Sequence, residues 1–203
     1  MAIAINGTGT ITGISVGGLN DSIITSSELA NGAVTAAKID SLPAGSILQV
    51  QSTTKTDTTS VSVAGGGQSG VLSGFTVAIT PSSTSSKILL IVHCNVSTTA
   101  NATYIALKRG STSIAIGDAA SARQQMSSAL GNDGSTSNDY SAGHTAMCFL
   151  DSPGVDTEVT YGIGLAHSSS ATRTIYFNRS HTDSDSNNTF RLASTITAIE
   201  VAA

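Results

Sequence analysis

The strongest hydrophobic pattern in the chain runs through residues 86–97. Every second side chain from Ile88 to Val96 is apolar, whereas the alternate positions are apolar only in the middle, at Leu89 and Ile91. Successive side chains of a strand point to opposite faces of a sheet, and β-branched residues favour strand over helix. The pattern therefore predicts a strand inside a sheet, with one face covered by a second layer.

Alternating patterns predict further strands along the second part of the chain. In residues 159–166, Val, Tyr, Ile and Leu alternate with Thr, Gly, Gly and Ala, so the small face suits close approach of another sheet or subunit. Composition predicts a connection at 53–70, a short helix at 118–130 and a loop at 131–138. The other predicted strands are 47–52, 71–80, 104–108, 113–117, 142–150, 174–178 and 190–201.

The number and spacing of these strands predict the fold class. About nine short strands divided by turn and loop residues are typical of an antiparallel sandwich. We therefore predict an all-β fold, with an antiparallel β-sandwich of the jelly-roll type in residues 46–203. The predicted core is large enough to fold without a metal or a disulfide.

The first part of the chain has a different character. Residues 1–42 are rich in glycine and poor in large side chains, so they cannot bury a core of their own. Two short turns are predicted at 26–32 and 35–39, because Ser, Thr and Asn-Gly occupy capping positions there. We interpret residues 1–42 as a thin, extended or short-helical attachment segment, and residues 43–45, Pro-Ala-Gly, as a hinge.

Charge excludes some partners. Charged residues make up 11% of the chain and the net charge is −4, so no basic stripe is available to neutralise phosphates, and we expect no nucleic-acid binding. The chain has no apolar run of the ~20 residues that span a bilayer, so we expect no membrane insertion. A surface with so few charges is poorly protected against association.

Several short motifs carry a resemblance to a known family. The N-terminal segment contains GTITGISVGGL from Gly9 to Leu19 and ELANGAVTAAKI from Glu28 to Ile39. Later matching pieces are TPSS at 80–83, RGST at 109–112, IGD at 116–118, FLDSP at 149–153, NRS at 178–180 and STIT at 194–197. Together they resemble tail-fibre-like virion proteins of tailed bacteriophages, of the cyanophage and marine-phage type. The second stretch is similar to a repeat of such fibres, and its single copy here implies a short fibre.

The resemblance implies a role on the virion. We expect a short homotrimeric tail fibre, exposed on the particle, whose residues 1–42 dock to other virion proteins and whose β-sandwich touches a host-surface glycan. One alternative is a capsid decoration or head-fibre protein without a receptor role; another is a glycan-degrading tailspike. The predicted trimer contacts are Ile11, Ile14, Val16, Leu19, Leu29, Val34 and Ile39.

Little in the sequence indicates catalysis. No Gly-x-Ser-x-Gly turn lies between a predicted strand and a predicted helix, where a serine nucleophile would need it. Asp151, Asp156 and Glu158 surround one turn, and although glycoside cleavage needs paired carboxylates, acids at a turn are typically solvated. We therefore predict no enzyme activity and no cofactor.

Metal ligation also lacks a strong signal. Asp183, Asp185 and Asn187 have the alternating oxygen spacing of a calcium loop, but the Gly and distant Glu of an EF-hand are absent. Cys94, Cys148 and His144 lie in predicted strands without the spacing of a zinc site, and both cysteines are expected to be buried thiols.

The remaining chemistry is recognition by loops, which a rigid sandwich carries at its surface. The candidate loops are 132–140, 167–173 and 181–188. Aromatic and basic side chains in and beside them are suited to stack on a sugar and hydrogen-bond its hydroxyls. The candidate ligand-binding residues are Tyr140, His167, Arg173, Tyr176 and Arg179; packing is the competing interpretation for Tyr176 and Arg179.

Overall fold

A computed structural model describes residues 31, 42–98, 102–131 and 140–203. Every regular element in these residues is a β-strand, and none is a helix long and apolar enough to cross a membrane. The strands are β1 (Ile47–Lys55), β2 (Thr59–Val63), β3 (Thr76–Ile79), β4 (Lys87–Thr98), β5 (Ala102–Arg109), β6 (Thr112–Ile114), β7 (Ser128–Gly131), β8 (Gly143–Asp151), β9 (Val159–His167), β10 (Arg173–Phe177) and β11 (Ser194–Val201).

The first of two antiparallel sheets is built around β4. One edge of β4 pairs with β8, from Ile88 opposite Asp151 to Val96 opposite Gly143. Its other edge is shared, because β11 pairs with its first half and β10 with its second. Strand β1 then pairs with β11, and β2 with β10. Between β10 and β11 the chain therefore leaves the sheet, and β11 then rejoins it along the same edge of β4.

The second sheet has the order β3-β9-β5, and the far edge of β5 is shared by β6 and β7. The prediction of an all-β fold with two antiparallel sheets is confirmed in the described residues. Between the sheets, the inner face of β4 is buried as its alternation predicts, with Ile88, Leu90 and Val92 fully covered. The rings of Phe75 and Phe177 meet at 4.9 Å between centroids inside this core.

Three local predictions were wrong. Residues 53–70 are not a single connection, because β1 extends to Lys55 and β2 follows, with Val63 in the core. Residues 118–130 contain no helix, and their last three residues belong to β7. The strand predicted at 71–80 is limited to Thr76–Ile79, because Leu72 and Phe75 close a turn in which the Phe75 amide donates to the Leu72 carbonyl at 3.3 Å.

The small face of β9 is closely covered, and the covering segment comes from the same chain. The Ser69 amide donates to the Leu165 carbonyl and the Leu72 amide to the Ile163 carbonyl, both at 2.8 Å. A Cβ atom added to Gly162 would lie 2.6 Å from Cγ1 of Val71. Glycine is required there because backbone and side chain approach so closely.

Residues Pro43–Ala203 form one compact unit. At its start, Gly45 donates its amide to the Ala202 carbonyl at 2.8 Å, and Ala202 donates to Ser46 at 2.9 Å. Apart from residues 31 and 42, the predicted attachment segment lies outside the described residues. The same is true of all the predicted trimer contacts between Ile11 and Ile39, which remain predictions.

Candidate functional site

The excursion between β10 and β11, residues 178–193, forms a long loop on the first sheet. It begins at Asn178, whose backbone adopts a left-handed conformation with φ of 61°. Asparagine tolerates this conformation better than most residues. Within the loop, Arg179 and Arg191 form a β-bridge, and the Leu192 amide donates to the Asn178 carbonyl at 2.9 Å. The loop thus closes on itself at its base.

Buried polar side chains hold this base. Asn178 is fully buried and donates its side-chain amide to the carbonyl of Lys55, the last residue of β1, at 2.7 Å. Its Oδ1 accepts a hydrogen bond from the hydroxyl of Ser194, which in turn accepts one from the Asn95 amide at 3.0 Å. Because buried polar groups are costly to leave unpaired, this network fixes where the loop starts and ends.

A charged frame supports the loop above its base. The guanidinium of Arg179 lies 3.9 Å from the centroid of the Tyr176 ring, in cation–π geometry. One of its nitrogens also donates to the His181 carbonyl at 2.9 Å and lies 3.6 Å from the Asp183 carboxylate. Asp183 forms a second ion pair with Arg191. The hydrogen bond from Arg191 holds the pKa of Asp183 below its ordinary value of 3.8 and outweighs the opposing effect of desolvation.

The outer part of the loop encloses a groove of about 490 Å³. Phe190 lines it and is 37% exposed, an unusual position for a large aromatic side chain. The other lining residues are charged or carry a hydroxyl group: Asp183, Ser184, Asp185, Ser186, Thr189 and Arg191. The groove therefore combines an aromatic surface with hydrogen-bond donors and acceptors of both charges, the composition that recognises a polar ligand with an apolar face.

The structure distributes the predicted ligand-binding residues unevenly. It brings Tyr176 and Arg179 together, but as supports beneath the loop, because the guanidinium covers one face of the ring. Tyr140 is 47% exposed, and Arg173 is exposed with its Nε donating to the hydroxyl of Ser169 at 3.3 Å. No contact among the described residues joins either of these to the Tyr176–Arg179 pair.

His167 does not have the surface position that was predicted for it. Its side chain is fully buried, with Nε2 2.9 Å from the Val63 carbonyl and Nδ1 accepting a hydrogen bond from the Ser169 amide at 3.2 Å. This pattern places the ring hydrogen on Nε2. Nε2 therefore ties β9 to β2, Nδ1 holds the connection that follows β9, and no sugar can reach the ring in this structure.

The candidate metal ligands do not assemble. Within the described ranges, no three His, Cys, Asp or Glu side chains are placed to hold a metal ion. Asp183, the first residue of the possible calcium loop, directs its carboxylate to Arg191 and Arg179 instead. Cys94 is buried, which raises its pKa to about 12, whereas Cys148 is exposed, so the prediction that both are buried was wrong for Cys148.

The acids around the 151–158 turn differ in their surroundings. Asp151 is buried, accepts a hydrogen bond from the Tyr161 hydroxyl at 2.7 Å, and lies 3.0 Å from the Arg109 guanidinium. Desolvation and this hydrogen bond both raise the pKa of Tyr161. Asp156 and Glu158 are exposed. Asp151 thus stabilises the sandwich through Tyr161 and Arg109.

Sequence reasoning missed three residues of the groove, Thr189, Phe190 and Arg191. Phe190 was assigned to the start of the last strand, which in fact begins at Ser194. The sequence of residues 190–193 does not indicate that Phe190 is exposed, because an aromatic side chain next to a strand is usually in the core. The comparisons with known proteins add no further residue: no protein-family model matches the chain, and no curated protein does.

Proposed function

We propose that the protein is a structural protein of a phage virion, a short homotrimeric tail fibre. In this proposal residues 1–42 dock to other virion proteins, and the β-sandwich contacts a glycan on the host surface. The family comes from the resemblance of the sequence motifs. The observation that carries recognition is the 178–193 loop, whose rigid base presents Phe190 and Arg191 at an open groove.

The strand order supports the jelly-roll part of the proposal. If β1 with β2, β10 with β11, and β6 with β7 are each counted as one interrupted strand, each sheet has four positions. The first sheet is then β1/β2, β10/β11, β4, β8, and the second β3, β9, β5, β6/β7. This is the arrangement of two Greek keys folded into a double sheet. Such a scaffold keeps its interior filled and leaves recognition to its loops.

An apolar surface that no described residue covers supports association of several chains. Val50, Ile199, Leu89 and Leu150 follow one another across the outer face of the first sheet, each opposite the next in the register. We call these four residues the outer apolar row. Val50 and Leu150 are about half exposed, and Ile91 beside the row is 46% exposed. Because no charged residue interrupts the row, a second copy of the chain is a suitable cover for it.

Cell binding tests the recognition part of the proposal. The labelled full-length chain is incubated with a panel of cyanobacterial and marine bacterial cells, as wild type and as Phe190→Ala. Val155→Ala is the matched control, because Val155 is equally exposed at 37% on a different loop. We expect Phe190→Ala to lower retention on a susceptible strain by about tenfold, the usual effect of losing one aromatic anchor.

Two results would count against this proposal. If wild type is retained by none of the strains, the capsid decoration alternative replaces it. If Phe190→Ala and Val155→Ala are retained as well as wild type, the 178–193 loop is not the recognition surface. Release of soluble sugar from the bound cells would instead favour the tailspike alternative.

A further inference from the structure

A second cleft, of about 530 Å³, lies where residues 117–126 pass beside β5 and β7. Tyr104 projects into it from β5, and Asp118, Arg123, Gln124 and Ser168 line its walls. None of these residues belongs to the 178–193 loop. None was among the ligand-binding residues predicted from the sequence. The cleft is thus a separate feature of the second sheet.

Hydrogen bonds fix the shape of this cleft without a ligand. The segment closes on itself, because the Gly117 amide donates to the Met126 carbonyl and the Gln125 side chain donates to the Gly117 carbonyl at 2.7 Å. At its end, the Ser127 amide donates to the Ile105 carbonyl of β5 at 2.9 Å. A cleft whose walls are held in this way loses little conformational entropy when a ligand binds.

Several polar groups in the cleft have unused hydrogen-bonding capacity. The Tyr104 hydroxyl and the Asp118 carboxylate make no hydrogen bond with any residue in the described part of the chain. The side-chain oxygen of Gln124 is likewise an unused acceptor, since only its amide nitrogen is engaged, 3.5 Å from the His167 carbonyl. The guanidinium of Arg123 makes one long hydrogen bond, 3.4 Å, to the Ala120 carbonyl. The cleft therefore offers both donors and acceptors around one aromatic side chain.

Charge and exposure narrow the class of ligand. Among the described residues that line the cleft, Asp118 and Arg123 alone are charged, so their charges cancel and favour a ligand without net charge. Most of the lining residues are exposed, so the cleft holds part of a larger molecule better than it engulfs a small metabolite. Sugar hydroxyls both donate and accept, and one pyranose face is apolar enough to lie against a tyrosine ring.

From these observations we infer that the 117–126 cleft binds a neutral hexopyranose unit of a larger glycan. Asp118 and Gln124 accept hydrogen bonds from its hydroxyls, Arg123 donates to its oxygens, and Tyr104 lies against the ring. The inference rests on the proposed glycan-binding function and adds a second saccharide site to it. A single sugar has few atoms, so we expect a dissociation constant on the order of millimolar, which several copies of the chain would strengthen through avidity.

A ligand-observed NMR titration of the full-length chain tests this inference. The probes are methyl α- and β-glycosides of glucose, mannose and galactose, with glycine as a zwitterionic comparison. We expect one hexoside to bind, and Asp118→Ala and Arg123→Ala each to weaken it about tenfold, because a hydrogen bond to a charged group is lost. The matched controls are Asp156→Ala and Lys87→Ala, which make the same charge changes at exposed positions elsewhere and should stay within about twofold.

The contrary results are distinct from those of the cell-binding test. The inference is wrong if wild type binds no hexoside, if it binds glycine instead, or if Asp118→Ala binds the sugar as wild type does. None of these results depends on Phe190 or on host cells, so the proposed function can survive them. Conversely, a hexoside that binds through Asp118 upholds the cleft even when no cell strain retains the protein.

Discussion

Among single residues, Glu200 best shows how this low-charge chain uses an ionised group. Its side chain is fully buried at the inner face of β11. One carboxylate oxygen accepts hydrogen bonds from the amide and hydroxyl of Ser82, both at 2.6 Å, and the other accepts one from the side chain of Gln49 at 2.6 Å. Glu200 thus joins the turn after β3 to β1.

The pKa of Glu200 reflects this environment. Desolvation raises the pKa, but hydrogen bonds from Ser82, Gln49 and Ser86 together outweigh it and hold the pKa below the ordinary value of 4.5. A carboxyl group whose pKa is depressed on folding stabilises the folded state above the unfolded pKa. Its contribution declines as the pH falls below 4.5 and is lost once the pH falls below the pKa of the folded state.

This environment predicts how Glu200→Gln changes stability. Near neutral pH we expect the free energy of unfolding to fall by about 2 kcal/mol, the usual effect of losing hydrogen bonds to a buried charge. The difference from wild type should shrink as the pH is lowered through 4.5. Urea unfolding between about pH 7 and pH 3 measures it, with Glu158→Gln at an exposed position as control. A difference that stays constant over this range would contradict an ionic role.

At the scale of elements, two connections pack together where β2 and β9 end. His167 of β9 bonds to the Val63 carbonyl of β2, and the chain beyond Val63 passes directly against Ser170. A Cβ atom added to Gly65 would lie 1.9 Å from the Ser170 carbonyl oxygen, a contact with backbone that a side-chain rotation cannot relieve. Residue 65 is therefore glycine because the connection after β2 and the connection after β9 lie too close together for a side chain.

The contact predicts that Gly65→Ala is destabilising. We expect its free energy of unfolding to fall by about 1–3 kcal/mol, the range found when a well-packed site is overfilled. Gly70→Ala is the matched control, because a Cβ atom there meets open space, and it should change the free energy by no more than about 0.5 kcal/mol. Equal melting temperatures for the two variants would show that these connections do not pack as described.

The strands differ in how well the sequence pattern predicts them. The strands β4 and β9 were predicted because five or four alternating apolar residues leave little ambiguity about the buried face. Strand β2 has only Val61 and Val63 on its apolar face, and β7 is only four residues long. Strands β2 and β7 form because longer neighbouring strands supply their hydrogen bonds and their apolar cover. These are tertiary contacts, so the local sequence pattern does not predict them.

The sequence predicts only part of the candidate site, because the rest depends on tertiary contacts. The sequence identified the 181–188 region as a surface loop and selected Tyr176 and Arg179, which lie beneath it. It could not show that the guanidinium covers the tyrosine ring, nor that residues 117–126 form a cleft, since each depends on contacts between distant segments. His167 was placed in a loop by composition, but pairing with Thr103 extends β9 through it.

For the molecule as a whole, the proposed trimeric fibre requires that copies of the chain associate. The outer apolar row leaves a flat apolar surface on one face of the sandwich, and the low overall charge does little to keep copies apart. Leu150 lies at the exposed end of this row on β8, so Leu150→Lys places a charge there without entering the core. We expect this variant to fold as wild type does but to associate less.

Light scattering behind a sizing column gives the native mass of the full-length protein and so shows whether its chains associate. We expect a mass of three chains for wild type and a smaller mass for Leu150→Lys, while Thr54→Lys, on the same face outside the row, keeps the wild-type mass. A single-chain mass for wild type over a wide range of protein concentration would contradict the trimeric fibre. A three-chain mass for Leu150→Lys would show that the outer apolar row is not what holds the trimer together.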